Sequence, residues 1–147
     1  MIELADPGYD SGSFGTLPGV DSLDQFAKRR GLNKAWFTAV GYGLQQSFPD
    51  AAGWKTQADR VRYVAYPKLN QINVPGFTGD FSMLLSNNAH SGGTCFGDSG
   101  GPNFLKDSSV VAGVTSFGIN GNCAGTGGVF RIDRQNVLTF INDFMTP

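Results

Sequence analysis

Thr94-Cys95-Phe96-Gly97-Asp98-Ser99-Gly100-Gly101-Pro102 sets a single hydroxyl among residues that are almost all small or turn-forming. Asp98 suits hydrogen bonding to nearby backbone, and the glycines reach dihedrals that other residues adopt only at a cost. A turn this tight is expected to push Ser99 outward and to aim the N–H groups of Gly97 and Ser99 into one small concavity. Two donors beside a nucleophilic oxygen are what stabilises the oxyanion formed when a carbonyl is attacked. The plainer alternative is a Gly-rich turn between strands whose serine does nothing. The length of the run, with Cys95 before it and Pro102 after it, favours the chemical reading.

Outward from this stretch the pattern is one of strands. Asn103 to Lys106 and Val110 to Phe117 follow it, joined by a hairpin turn at Asp107-Ser108. Phe81 to Leu85 precedes it, and Gly127 to Ile132 is the last apolar run. Ala35 to Gly43 is apolar and aromatic, residues 44–59 form a long polar loop, and Arg62 to Tyr66 alternates with a period of two. Six strands result. Asp133 is the expected N-cap of a closing helix, with Val137, Phe140, Ile141 and Phe144 on one stripe. At the other end, residues 5–12 read as a turn-rich connection. Ser22 to Arg30 reads as a short helix with Ser22 and Gln25 at capping-box spacing and Gly31 as its stop. Lys28, Arg29 and Arg30 suit the C-terminal dipole of such a helix and need no ligand.

Composition narrows the classes. The 147 residues suit one domain with a sizeable core. Charged residues make up only 16% and the net charge is −1, which gives no reason to expect nucleic acid or an anionic membrane as a partner. The 21 glycines and 12 phenylalanines fit a β-rich fold with tight turns. No apolar run approaches the roughly 20 residues needed to span a bilayer, and no signal peptide is visible at the N-terminus. Neither a metal nor a cofactor is expected. By composition alone, Cys95 and Cys123 could be two buried thiols or a bridge.

Gly97-Asp98-Ser99-Gly100-Gly101-Pro102 resembles the nucleophile motif of the trypsin/chymotrypsin family of serine endopeptidases. The resemblance runs from about Phe37 to the end. Thr38 to Gly43 resembles the opening strand of that family's second barrel, Val114 to Gly118 the strand that pairs with substrate, and Gly128 to Phe130 the strand backing the specificity pocket. It implies an all-β fold: a six-stranded antiparallel Greek-key barrel with a C-terminal helix, the first barrel being absent. Residues 1–34 would be the inter-barrel connector with its short helix, and residues 35–147 the C-terminal barrel. It also implies a Cys95–Cys123 disulfide, an oxidising and therefore secreted or otherwise extracytoplasmic setting, and a polypeptide substrate.

The resemblance assigns Ser99 as nucleophile, the N–H groups of Gly97 and Ser99 as the oxyanion hole, and Asp98 as support for the loop. Gly93 would lie at the floor of the specificity pocket with Thr94 beside it, Gly118 and Gly128 at its walls, and Ser116, Phe117 and Gly118 along the substrate. With no carboxylate at the floor, the pocket is expected to favour a large apolar side chain over lysine or arginine.

A serine needs a base, and the base an orienting group. In the family both come from the first barrel. The sole histidine, His90, is expected on the surface. Met1 to Leu4 resembles the tail of the segment that follows the orienting aspartate. The expectation is thus a serine endopeptidase fragment without catalytic His and Asp, inactive alone, whose missing N-terminal barrel acts in cis or in trans. The alternative is a non-catalytic binding module, a pseudo-protease. In activated relatives the aspartate matching Asp98 pairs with an α-amino group of the first barrel, which would leave Asp98 here without that partner.

Overall fold

The computed structural model describes residues 1–27, 35–45 and 59–145. Its strands are β1 (Phe37–Gly41), β2 (Tyr63–Ala65), β3 (Leu69–Ile72), β4 (Ser82–Asn87), β5 (Pro102–Leu105), β6 (Val111–Gly118) and β7 (Gly125–Arg131), and helix α1 (Gln135–Met145) closes the chain. They form a single sheet in the order β2-β1-β5-β6-β7-β4-β3. Every neighbouring pair is antiparallel.

The two ends of that order belong to one strip of chain. β2 pairs with β1 and β3 with β4, and Pro67 interrupts the strip between them. There the Phe37 N–H donates to the Pro67 carbonyl at 2.9 Å, and the Leu69 N–H to Ala35 at 3.0 Å. On the other side the Ser86 N–H reaches the Lys68 carbonyl at 2.8 Å. The sheet therefore curls until its edges meet, as the all-β reading requires. Hydrogen bonding divides it into seven strands and not six, the addition being β3. Proline has no N–H to give a ladder, which accounts for the break.

Leu23, Phe37, Met83, Leu85, Ala112 and Val129 fill the interior, each at most 2% exposed. Leu23 comes from the segment before the sheet and is held by charge. Arg131 and Asp133 are both fully buried. Arg131 donates through Nε to Asp133 Oδ1 at 2.9 Å and through Nη2 to Asp133 Oδ2 and Asp24 Oδ1, each at 2.8 Å. Its Nη1 donates to Asn73 Oδ1. Asp133 Oδ2 also accepts the Leu23 N–H at 2.9 Å, and the Asp133 carbonyl accepts the Asp21 N–H at 2.8 Å. Arg134 pairs with Asp21 at 2.8 Å on the rim.

This cluster corrects the expected N-cap. The Asp133 carboxylate is committed to Arg131 and Leu23, and the Arg134 carbonyl accepts the Val137 and Leu138 N–H groups that open α1. Leu138 is the buried residue of α1, with Val137 and Ile141 half-buried beside it. Phe140 is 59% exposed and Phe144 is 41% exposed, so the expected stripe holds only in part. Those two rings lie off the buried side that Leu138 marks. The early helix is a 3-10 helix over Ser22–Phe26, and residues 28–34 lie outside the described part. No side chain caps it; Gln25 Nε2 donates instead to the Ser22 carbonyl at 2.7 Å. The capping-box spacing is present without the capping box.

Candidate active site

The chain from β4 to β5 skips two strands, β7 and β6, and the Ser99 loop lies on this crossing. A crossing carries no ladder of its own, so its shape depends on turns and on one side chain. The Asp98 N–H donates to Cys95 at 3.1 Å, and the Gly101 N–H to the Asp98 carbonyl at 2.9 Å. Gly97 and Gly100 sit at φ 96° and 81°, in the region that favours glycine. The loop then joins β6, with the Gly100 N–H on the Thr115 carbonyl at 2.8 Å and the Thr115 N–H on Gly101 at 3.0 Å.

Asp98 fixes the loop from within. Oδ1 accepts the Gly43 N–H at 2.7 Å and Oδ2 accepts the Cys95 N–H at 2.9 Å. Such bonds to a carboxylate are short and roughly twice as strong as neutral ones. Two backbone donors thus satisfy the carboxylate within the described residues, in the absence of the α-amino partner that activated relatives supply. The approach is close enough to require glycines opposite: a Cβ at Gly41 would fall 1.9 Å from Oδ1, and one at Gly43 would fall 2.6 Å from Cγ. Gly41 and Gly43 were missed by the sequence reading as functional positions, although Gly-x-Gly at the end of an apolar strand was the available signal.

Ser99 is exposed. Among the described residues its hydroxyl has no protein partner, and the N–H groups of Gly97 and Ser99 donate to no protein acceptor. In this loop the N–H groups of Cys95, Asp98, Gly100 and Gly101 are committed, whereas those of Gly97 and Ser99, like those of Thr94 and Phe96, stay available among the described residues. His90 is exposed too, and its backbone N–H donates to Asn88 Oδ1 at 2.9 Å. No imidazole or carboxylate hydrogen-bonds Ser99 among the described residues.

The loop separates two clefts of similar size. One, of about 280 Å³, is bounded by Ser99, Thr94, Ser116, Phe117, Gly118 and Thr126, among others. The other, of about 270 Å³, has Asp98 in its wall with Gly43 and Gly93. Of the anticipated substrate residues, Thr94, Ser116, Phe117 and Gly118 thus share a cleft with Ser99. Gly93 faces the other cleft. Gly128 is buried beneath Phe117, whose ring Cζ lies 2.4 Å from where a Cβ at Gly128 would stand. Thr126 was missed by the sequence reading; a threonine amid glycines carries no signal of its own. A Cys95–Cys123 disulfide, with Cα atoms 5.4 Å apart, fastens two walls of the Ser99 cleft together. Beyond Thr115, the side of β6 that faces β5 is unpaired, leaving Ser116 to Gly118 a free backbone edge beside Ser99. No group of three His, Cys, Asp or Glu that could hold a metal ion occurs among the described residues. No helix among them is long and apolar enough to cross a membrane.

The Trypsin family model matches residues 27–141. No curated protein sequence matches the chain. Among solved structures, a mutant of human heparin binding protein (CAP37) is similar at 17% identity and TM-score 0.65, covering 97% of this chain and 56% of its own. HL collagenase is similar at 20% identity and TM-score 0.65, covering 99% and 57%. A scabies mite inactivated protease paralogue is similar at 15% identity and TM-score 0.57, covering 89% and 51%. At these identities the likeness is one of fold. The chain spans little more than half the length of these structures.

Proposed function

Because the chain belongs to the trypsin-like serine protease family, we propose that it forms the nucleophile-bearing part of a serine endopeptidase. Ser99 Oγ attacks the peptide carbonyl carbon, the N–H groups of Gly97 and Ser99 hold the oxygen that becomes anionic, and the amine leaves to give an acyl-enzyme that water hydrolyses. Asp98 keeps those donors aligned through Gly43 and Cys95. The free edge at Ser116 to Gly118 takes the substrate backbone as an added strand. The observation that carries this reading is the exposed Ser99 hydroxyl with two uncommitted N–H groups in its loop.

The general base and its orienting carboxylate come from a first barrel, in cis or in trans, equivalent to the part of the matched structures that this chain does not cover. Val40, Tyr63, Val64, Pro102 and Phe104, with Arg62 as the one charged member, line an open groove that gives such a barrel a mainly apolar surface to rest on. Without it, losing triad members leaves only roughly 10³–10⁴-fold catalysis over water. The Cys95–Cys123 bridge supports a secreted or otherwise extracytoplasmic site of action.

The second reading, a non-catalytic module, is favoured by the lack of any base hydrogen-bonded to Ser99, and an inactivated protease paralogue has a similar fold. Labelling with a fluorophosphonate separates the two. The endopeptidase reading expects Ser99 to be labelled at least about 10³-fold faster when a first barrel is present than in this chain alone. Equal, slow labelling in both would leave the binding module.

A further inference from the structure

The Gly97 N–H shares a peptide unit with the Phe96 carbonyl. That unit is planar and trans, so its N–H and C=O point opposite ways and holding one aims the other. The Phe96 carbonyl accepts the Leu44 N–H at 2.9 Å. Leu44 N–H belongs in turn to the peptide unit of the Gly43 carbonyl, and that oxygen accepts a hydrogen bond from Gln45 Nε2 at 3.0 Å. Two peptide units from distant segments are thus joined end to end. A side chain stands at one end and the Gly97 N–H at the other.

Gln45 is itself held. Its Oε1 accepts the Asp59 N–H at 3.2 Å, so the carboxamide donates on one side and accepts on the other. A carboxylate there would set an acceptor against the Gly43 carbonyl, and a thioether would make neither bond well. The far end of the chain of bonds needs such control. Gly97 sits at φ 96°, and a glycine takes the opposite sign of φ about as readily. Rotation of the 96–97 peptide unit would cost the Leu44 bond and reverse the Gly97 N–H. Hydrogen bonds in series also polarise one another, which makes the last donor a better one.

We propose that Gln45 is a positioning residue for the chemistry of Ser99: through the 43–44 and 96–97 peptide units it keeps the Gly97 N–H aimed as an oxyanion donor. The assignment rests on the endopeptidase reading above and adds a residue to it. Gly43 carries two braces at once, its N–H serving Asp98 and its carbonyl serving Gln45. Asp98 fixes the loop from within, whereas Gln45 sets the direction of one peptide unit.

The test pairs Gln45→Glu with Gln45→Met. In this chain alone, nuclear magnetic resonance should show the Leu44 and Gly97 amide protons moving in both variants. The Gly100 and Gly101 amides, held by Thr115 and Asp98, should stay in place and report an intact fold. Acidification below about pH 4 gives the carboxyl of Gln45→Glu a proton to donate. Its Leu44 and Gly97 amides should then return toward the parent's at the same pH, and those of Gln45→Met should not. In the two-barrel protein at neutral pH, both variants should lower the limiting rate of fluorophosphonate labelling by about tenfold to hundredfold, less than the roughly 10²–10³ of a deleted donor. The half-saturating concentration should stay within about twofold, because the lost alignment acts in the transition state. A stationary Gly97 amide, an unchanged limiting rate, or the same acid response in both variants would each overturn the assignment. Fast labelling of the parent and both variants alike rejects the role of Gln45 and spares the peptidase. A Gly97 amide that moves in a protein whose parent is never labelled does the reverse, leaving the chain of bonds and removing the peptidase.

Discussion

Two aspartates hold this molecule at two places, and they do so differently. Asp133 is fully buried and meets a buried guanidinium, with Asp24 and Asn73 completing the shell. Asp98 is half-buried and meets only backbone N–H groups, from Gly43 and Cys95. The first arrangement uses up the donors around it and anchors the Leu23 segment in the core. The second immobilises a loop while leaving several of that loop's N–H groups unspent, those of Gly97 and Ser99 among them. Full satisfaction suits a structural joint, whereas a site for a developing negative charge needs donors held in reserve.

The contrast is sharpest in what each carboxylate leaves behind when removed. Asp133→Ala leaves the buried Arg131 guanidinium with only Asp24 and Asn73 and its Nε without a partner, and the expected loss is about 3 kcal/mol by urea unfolding. A loss below about 1 kcal/mol would mean that water enters and that the two places are alike. Gly41→Ala attacks the other pole by driving a methyl onto Asp98 Oδ1. The expected loss is smaller, about 1–3 kcal/mol, but Ser99 labelling in the two-barrel protein should fall with it. Asp133→Ala, examined where the protein is still folded, should leave labelling largely intact.

The smallest effect is one of pH, at the rim of the ionic joint. Burial pushes Asp24 up, but hydrogen bonds from Asn73 and Arg131 and the charges of Arg131 and Arg134 outweigh it and hold Asp24 below its ordinary value of 3.8. A depressed carboxylate contributes stability above its unfolded pKa and loses it as pH falls through the folded one. Asp24 is 39% exposed, so solvent screening keeps this contribution to less than about 1 kcal/mol. Thermal unfolding compared at pH 6 and pH 3 should show Asp24→Asn losing less on acidification than the parent. An equal loss would remove Asp24 from the account.

Most strands were legible because their apolar runs are long or alternate. β3 was not, for a reason visible in its residues. Leu69 and Ile72 point inward with exposed Asn70 and Gln71 between them, and the register shifts between Leu69 and Gln71. A bulge breaks the period of two, and with it the signal. The turn geometry of the Ser99 loop was legible because its motif is local, so each glycine and Asp98 can be weighed from neighbours in sequence. Gly41, Gly43 and Thr126 gain their meaning from segments distant in the chain, which no local spacing reports. Asp133 had the right residue type for a cap, but Arg131 and the distant Leu23 N–H claimed its carboxylate. At the early helix the spacing of Ser22 and Gln25 produced only a local bond from Gln25 to the Ser22 carbonyl.

The seam at Pro67 has a wider consequence. Both edges of the sheet end on the strip from Tyr63 to Ile72, so one short piece of backbone decides whether the ring is shut. A nick or a mismatched insertion there would release two raw edges at once, each with a row of unpaired amides. The opened molecule would then be poised to swap that strip with a second copy, and polymerisation would start at the weld rather than at the cleft.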